Sequence, residues 1–342
     1  MKTNPLKEYP VYYPDMREYI TFLFLMLDEF SATQEKVSKR GRPETYSDAS
    51  LIVFYAVMTL KGITSMRAQQ TYLFHHPLYL ESCQLPACPG HVTLGRRYKA
   101  LMPKLQAFTE YIAVSRFAKE AGFLQEVVYE DKSLFKAAGP VWHQKDRLKD
   151  HLPEGLRGVD ETATWSKSGY HGWVYGYGLH LTNIRNGFPV MFDVLPANVN
   201  ELKVLDTKKD RLIEKGVRCI VADNGYVDEK RQTAFAETEV LLLTPKTTLV
   251  AANACLGADP LYTATQVHTW QKTRKVAIEP VFDLLSKLLS ITGAHKPLPL
   301  RGVAYVATFL GIGIVLLQLA MLINVRCRLP TRNITHIKTV FR

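Results

Sequence analysis

Cysteine is scarce in this chain of 342 residues: five, an odd number, scattered at positions 83, 88, 219, 255 and 327. That usage excludes a disulfide framework and points to a reducing compartment, so the cytoplasm is expected. Cys83, Cys88 and His91 have a zinc-like spacing, but no second pair lies nearby in the sequence. Acids are rare in one region only. Residues 274–342 carry 10 Lys/Arg and 2 Asp/Glu, a net of +8, against +4 for residues 1–120 (15 and 11) and −1 for residues 121–273 (18 and 19). An acid-poor cationic segment is suited to a polyanion, although solubility alone asks for net charge too. Long hydrophobic runs are also few. Residues 19–27 sit between acids and lack a basic lead-in free of acids, which makes a poor signal peptide and a good core helix. Residues 303–323 have the length of a bilayer span. Arg301 and Arg326 flank them, however, and what precedes reads as a soluble α/β domain, so a helix buried on all sides is expected and no membrane.

What is present divides at residue 120. Residues 1–120 show helical periodicity at 19–30, 51–60, 66–73 and 101–114. Ser47-Asp48 is a helix start and Lys61-Gly62 a helix end. Short helices after a basic Lys39-Arg40-Gly41-Arg42 run fit a helix-turn-helix-like unit for DNA binding or dimerisation. Residues 93–99 would open its recognition helix, with Arg96, Arg97 and Lys99 facing DNA.

Residues 121–342 change pattern. Residues 126–131 form a β-branched and aromatic run ending in acids. Residues 173–181 and 189–195 alternate around Asn186-Gly187, a hairpin signal that includes Trp173 as a core aromatic. A helix over 200–215, a strand ending at Asp223, a further helix and a strand over 240–243 complete a mixed five-stranded sheet flanked by helices, in ribonuclease H-like order.

Three acids stand out. Asp223 follows the buried run Cys219-Ile220-Val221 and precedes Asn224-Gly225, at the end of a strand where open α/β sheets place ligands. Asp131 ends the first strand. Glu279 precedes Pro280, which fits only the first turn of a helix, so a helix N-terminus would support the charged Glu279. Clustered carboxylates need cations, and hard Mg²⁺ or Mn²⁺ prefer oxygen ligands. Two such ions suit in-line displacement at phosphorus. Asp160 is a structural carboxylate or the next choice of first acid.

Asp131-Lys132-Ser133, Ala222-Asp223-Asn224-Gly225-Tyr226 and Lys275 with Glu279 and Phe282, together with His171-Gly172 and Pro196-Ala197-Asn198, give the chain its likeness. It resembles a bacterial insertion-sequence transposase of the DDE, ribonuclease H-like class over roughly residues 38–325. The resemblance implies that Asp131, Asp223 and Glu279 are catalytic and hold two Mg²⁺ or Mn²⁺ ions. It implies double-stranded DNA as partner, both terminal inverted repeats and target, a homodimer synapsing two ends, and a nucleoid-associated location. Arg40, Arg42, Arg96, Arg97, Lys99, His171, Tyr226, Arg274, Lys275 and Lys287 are the expected DNA contacts. The chain departs from many relatives where a lysine seven residues after the last acid is replaced by Ser286, with Lys287 displaced by one. The alternatives are a nuclease of the same fold that joins no strands and a non-catalytic DNA-binding relative.

Overall fold

The computed structural model describes residues 12–35, 44–169, 172–247, 264–293 and 296–341; Arg40, Arg42, His171 and Cys255 lie outside them. Seven helices come first: α1 (Met16–Thr33), α2 (Asp48–Leu60), α3 (Met66–His75), α4 (Leu78–Ser82), α5 (His91–Ala100), α6 (Met102–Val114) and α7 (Arg116–Glu120). Asp15 and Glu18 form a reciprocal capping box at the start of α1. The Ser47 hydroxyl accepts from the Ser50 N–H at 2.9 Å to start α2, which ends at Lys61, where the sequence placed both boundaries.

Strand β1 (Val127–Lys136) opens the sheet, followed by a short helix α8 (Gln144–Arg147), then β2 (Thr164–Ser168), β3 (Gly172–Ile184) and β4 (Pro189–Pro196). Helix α9 (Glu201–Glu214) leads to β5 (Cys219–Val221), and α10 (Glu229–Ala236) to β6 (Leu241–Leu243). β3 pairs antiparallel with β1, with Asp131 opposite Leu181. β1, β5 and β6 run parallel, Tyr129 lying beside Val221. β4 and the short β2 share the outer edge of β3, β4 beside Tyr177–Asn183 and β2 beside Gly172–Gly176. An antiparallel trio followed by two parallel strands is the ribonuclease H-like order; β2 is an addition that the sequence reading lacked.

Two expectations need correction. Asp131 does not end its strand: β1 continues five residues beyond it to Lys136. Pro280 is not in a first turn. It lies inside the 25-residue helix α11 (Ala264–Leu288), so Glu279 is mid-helix and gains nothing from a helix N-terminus. A proline there strips the carbonyl four residues earlier of its N–H partner. That carbonyl, on Val276, instead accepts from Arg332 Nη1 at 3.1 Å, and the next one, on Ala277, accepts from Asn183 Nδ2 at 2.8 Å.

Helix α12 (Val303–Arg326) is the long apolar run, and from Val306 to Asn324 every residue is buried. Protein, not lipid, sheathes it. Gly311 and Gly313 permit the close packing: a Cβ on the first would lie 2.9 Å from the Phe192 ring, and on the second 2.8 Å from Leu285 and Leu289. The two polar residues inside the run, Thr308 and Gln318, both donate to backbone carbonyls, although Gln318 Oε1 has no partner among the described residues. Thr308 donates to the Tyr98 carbonyl at 2.9 Å, and the Gln318 amide donates to Thr109 and Pro189 carbonyls at 3.0 and 2.9 Å. One hydrophobic cluster consequently runs from Tyr19 to Phe341. At roughly 1.5–3 kcal/mol for each large apolar side chain taken from water, α12 is the main tie between helices and sheet. A last short helix, α13 (Thr335–Val340), follows.

Asp160 anchors the start of α12. Its Oδ2 accepts from Tyr177 Oη at 2.7 Å and from the Gly302 N–H at 2.9 Å, and Oδ1 accepts from Thr162 Oγ1 at 2.9 Å. It is 2 % exposed and fully engaged, so it is the structural carboxylate of the two readings. Asp160→Ala is expected to cost about 1–3 kcal/mol, the cost of leaving buried donors unsatisfied, read as a lower urea midpoint.

Candidate functional site

Alternation along β1 sorts its side chains onto two faces. Tyr129, Asp131, Ser133 and Phe135 share the face toward α11: Tyr129 Oη meets Thr273 at 2.9 Å and Asp131 meets Arg274. Glu130 and Lys132 face α9. There Lys208 is buried against Glu130 at 2.7 Å, and Thr182 donates to the same carboxylate. The strand is buried at Val128–Glu130 and again at Leu134 and Phe135, and more open between them, at Asp131, Lys132 and Ser133. That opening is the site.

Arg274 spans two of the three acids. Its Nη1 lies 3.1 Å from Asp131 Oδ2 and its Nη2 3.4 Å from Glu279 Oε1, so acids 148 residues apart in sequence flank one guanidinium. Asp131 Oδ1 also accepts from the Lys132 N–H at 2.8 Å. Asp223 caps a short 3₁₀ turn, Asn224–Tyr226, accepting from the Gly225 N–H at 2.8 Å. A Cβ on Gly225 would stand 2.9 Å from Glu201 Oε2 and 3.0 Å from Asp223 Oδ1. Only a residue without a side chain leaves room for both carboxylates.

Glu201 is thus a fourth acid, at the first turn of α9, which the sequence reading missed. The signal was available: it follows the helix cap Asn200, two residues after the Pro-Ala-Asn turn. Lys132 reaches toward it at 3.7 Å and donates to the Val199 carbonyl at 3.0 Å.

The acids sense one another. Burial pushes the Asp131 carboxyl up to about 7; Arg274 opposes the rise, and Asp223 and Glu201 add to it. Burial likewise raises Glu201, opposed by Lys132 and reinforced by Asp223. Such a cluster favours a cation, and in this structure Arg274 provides part of that charge. The donors are all oxygen, which suits a hard divalent ion. Among the described residues, however, no group of three or more His, Cys, Asp and Glu side chains stands in position to hold a metal. Donor chemistry fits; Arg274 holds the place between Asp131 and Glu279.

The expected DNA contacts divide. Arg96, Lys99, Lys275 and Lys287 are exposed. Lys99 lies over the Tyr305 ring at 4.9 Å, and Lys287 pairs with Asp283 at 2.7 Å. Arg97 turns inward to Asp48 at 2.6 Å and Glu44 at 2.9 Å, so it braces α5 against the start of α2 and does not face solvent. Tyr226 is fully buried beneath the acids and presents no stacking face. Trp173, expected in the core, is 58 % exposed.

The strand order is ribonuclease H-like, with Asp131 on β1 and Asp223 just after β5. Residues 154–296 match the family model described as a transposase DDE domain, so this stretch is similar to such domains. It contains Asp223, Glu279 and Glu201 and begins after Asp131. A solved structure described as the crystal structure of a pre-cleavage Mos1 transpososome aligns over 89 % of this chain and 97 % of its own, at 10 % identity and a TM-score of 0.18, too low to argue from. No curated protein matches.

Proposed function

We propose that the chain is a DDE transposase that cuts DNA at the ends of a mobile element and joins them to target DNA. The reading rests on one observation: Asp131 and Glu279 converge on a single guanidinium beside Asp223, in a chain whose residues 154–296 match the transposase DDE domain. Asp131, Asp223 and Glu279 would hold Mg²⁺ or Mn²⁺, which when bound supplies Lewis acidity at the reacting phosphate. Arg274 would leave the carboxylates for the DNA backbone, exchanging two carboxylate contacts for a phosphate, a bidentate partner equally suited to its fork. Glu201 and Lys132 hold the floor beside Asp223. In the first step a water oxygen forms a bond to phosphorus and the 3′-oxygen leaves as a hydroxyl. In the second that hydroxyl attacks a target phosphodiester and another 3′-oxygen leaves. Each step forms one P–O bond and breaks one. Two copies synapsing two ends, with the exposed Arg96 and Lys99 and the basic residues before α2 on the DNA, complete the proposal.

The test is incubation of the purified protein and Mg²⁺ with duplexes carrying the sequences that flank the gene. Cut ends bearing 3′-hydroxyls and joined products are expected, and both should vanish with Asp223→Ala. Cutting without joining would favour the nuclease alternative, and activity indifferent to Asp223→Ala would sink the catalytic reading.

A further inference from the structure

We propose that Lys296 and Ser133 form a seat for the DNA phosphate adjacent to the one that reacts. The inference rests on the function proposed above and adds a binding site to it.

Ser133 is two residues from Asp131 on the same face of β1, roughly 6.6 Å along the strand. That is about one nucleotide step. Lys296 Nζ donates to Ser133 Oγ at 3.2 Å, and the hydroxyl keeps its own proton for another acceptor. The ammonium stands over the rings of Phe135 and Phe282, 5.3 and 5.8 Å from their centroids. Both rings are buried, so the amine has an apolar wall on two sides and the open middle of β1 on another.

Among the described residues no carboxylate comes within ion-pair distance of Lys296. Three cations near the open middle of β1 each have one: Lys132 has Glu201, Lys208 has Glu130, Arg274 has Asp131. Burial lowers the Lys296 pKa, and only Asp283 acts from a distance in the other direction. A half-buried ammonium that has, among the described residues, two rings and a neutral hydroxyl but no anion beside it is an incomplete ion pair, and a phosphodiester oxygen would complete it.

The backbone holds the amine there at some cost. Lys296 has φ +48°, a left-handed conformation uncommon outside glycine, and such strain persists only where surroundings enforce it. The enforcement is visible: Leu298, 3 % exposed, donates its N–H to the Lys136 carbonyl at the end of β1 at 2.9 Å. Lys287, expected to contact DNA together with Arg274 and Lys275, is exposed and already paired with Asp283.

The experiment walks one neutral methylphosphonate, position by position, along the end of a duplex carrying the gene-flanking sequence. Binding is measured for the wild type, Lys296→Met, Lys296→Arg and Ser133→Ala. Methionine keeps the stem between the two rings and removes the charge. The wild type should lose roughly tenfold in affinity at one position adjacent to the cut, as expected for a charge-assisted bond. Lys296→Met should bind the unmodified duplex equally weakly, be indifferent to that same modification, and show a salt slope smaller by about one. Lys296→Arg should restore the position dependence. Equal sensitivity of Lys296→Met and wild type at every position would overturn the seat. Should Lys296→Met fail to fold, Ser133→Ala carries the same comparison, with a partial loss at that one position supporting the seat and none overturning it. Loss of the seat with Asp223-dependent cutting intact would refute this inference alone; binding with the seat but no cutting would refute the transposase reading alone.

Discussion

Asp131→Asn is expected to remove metal-dependent DNA cleavage and, at the same time, to make the metal-free protein more stable above neutral pH. The first effect follows from the proposed role. Losing one carboxylate from a site that supplies several kcal/mol of transition-state stabilisation should slow cutting roughly a thousandfold or more. The second follows from what the fold does to the carboxyl. Burial pushes it from 3.8 up to about 7. The folded chain therefore binds this proton more tightly than the unfolded chain between those values, and stability falls as pH rises through that window. At about 1.4 kcal/mol per unit the full cost is at most roughly 4 kcal/mol, and it is complete only above pH 7. Asparagine, like the protonated acid, keeps one acceptor oxygen, for the Lys132 N–H or for Arg274 but not both, and it has no proton to lose. Urea midpoints in EDTA should thus coincide near pH 3.5 and separate progressively to pH 8, with the variant on top by about 2–3 kcal/mol. A variant less stable than wild type at pH 8 would mean that the carboxylate is comfortable in the metal-free fold. The strain toward a cation would then be absent.

Much of this site could be read from the chain because the signals are local. Cys219-Ile220-Val221 followed by Asp223, Asn224 and Gly225 is a buried strand and its turn in any context, and Asn186-Gly187 fixes the hairpin on which β3 and β4 depend. What stayed illegible depends on partners distant in sequence. Arg97 reads as a surface cation until Glu44 and Asp48, about fifty residues earlier, fold over it. Glu201 is an ordinary helix-start acid until Gly225 lets Asp223 stand beside it. Asp131 reads as the end of a strand because the polar run Glu130-Asp131-Lys132-Ser133 breaks the hydrophobic pattern. Each of those residues instead faces a partner on one side of the sheet or the other: Lys208, Arg274, Glu201 and Lys296. Tyr226 reads as an exposed turn aromatic, but the turn folds back and tucks the ring under the acids.

Pro280 is the sharpest case, and it leads to the second large effect. Arg332→Ala should destabilise the protein by about 2–4 kcal/mol, and Pro280→Ala should recover much of that loss. A helix-interior proline costs about 3 kcal/mol, part of it the hydrogen bond its nitrogen cannot make. Here Arg332 compensates: besides Val276 it donates to the carbonyls of Asn186 at 2.7 Å and Arg185 at 3.4 Å, tying the β3–β4 turn to α11 one turn before Glu279. Without the guanidinium, three carbonyls lose a charged donor, and α11 is left with both its proline and an unpaired acceptor. Alanine at 280 restores an N–H within reach of the Val276 carbonyl, so in the Arg332→Ala background it mends the helix directly. In the wild-type background that carbonyl is already served, and the gain should be smaller by more than about 1 kcal/mol, beyond the error of additivity for independent sites. Urea denaturation of the four proteins measures the coupling. Strict additivity would show that Arg332 merely decorates the surface. A coupling of the expected sign means that a residue near the end of the chain governs the straightness of the helix carrying Glu279, so Arg332→Ala should also raise the Mg²⁺ concentration needed for half-maximal cutting, and Pro280→Ala should bring it back.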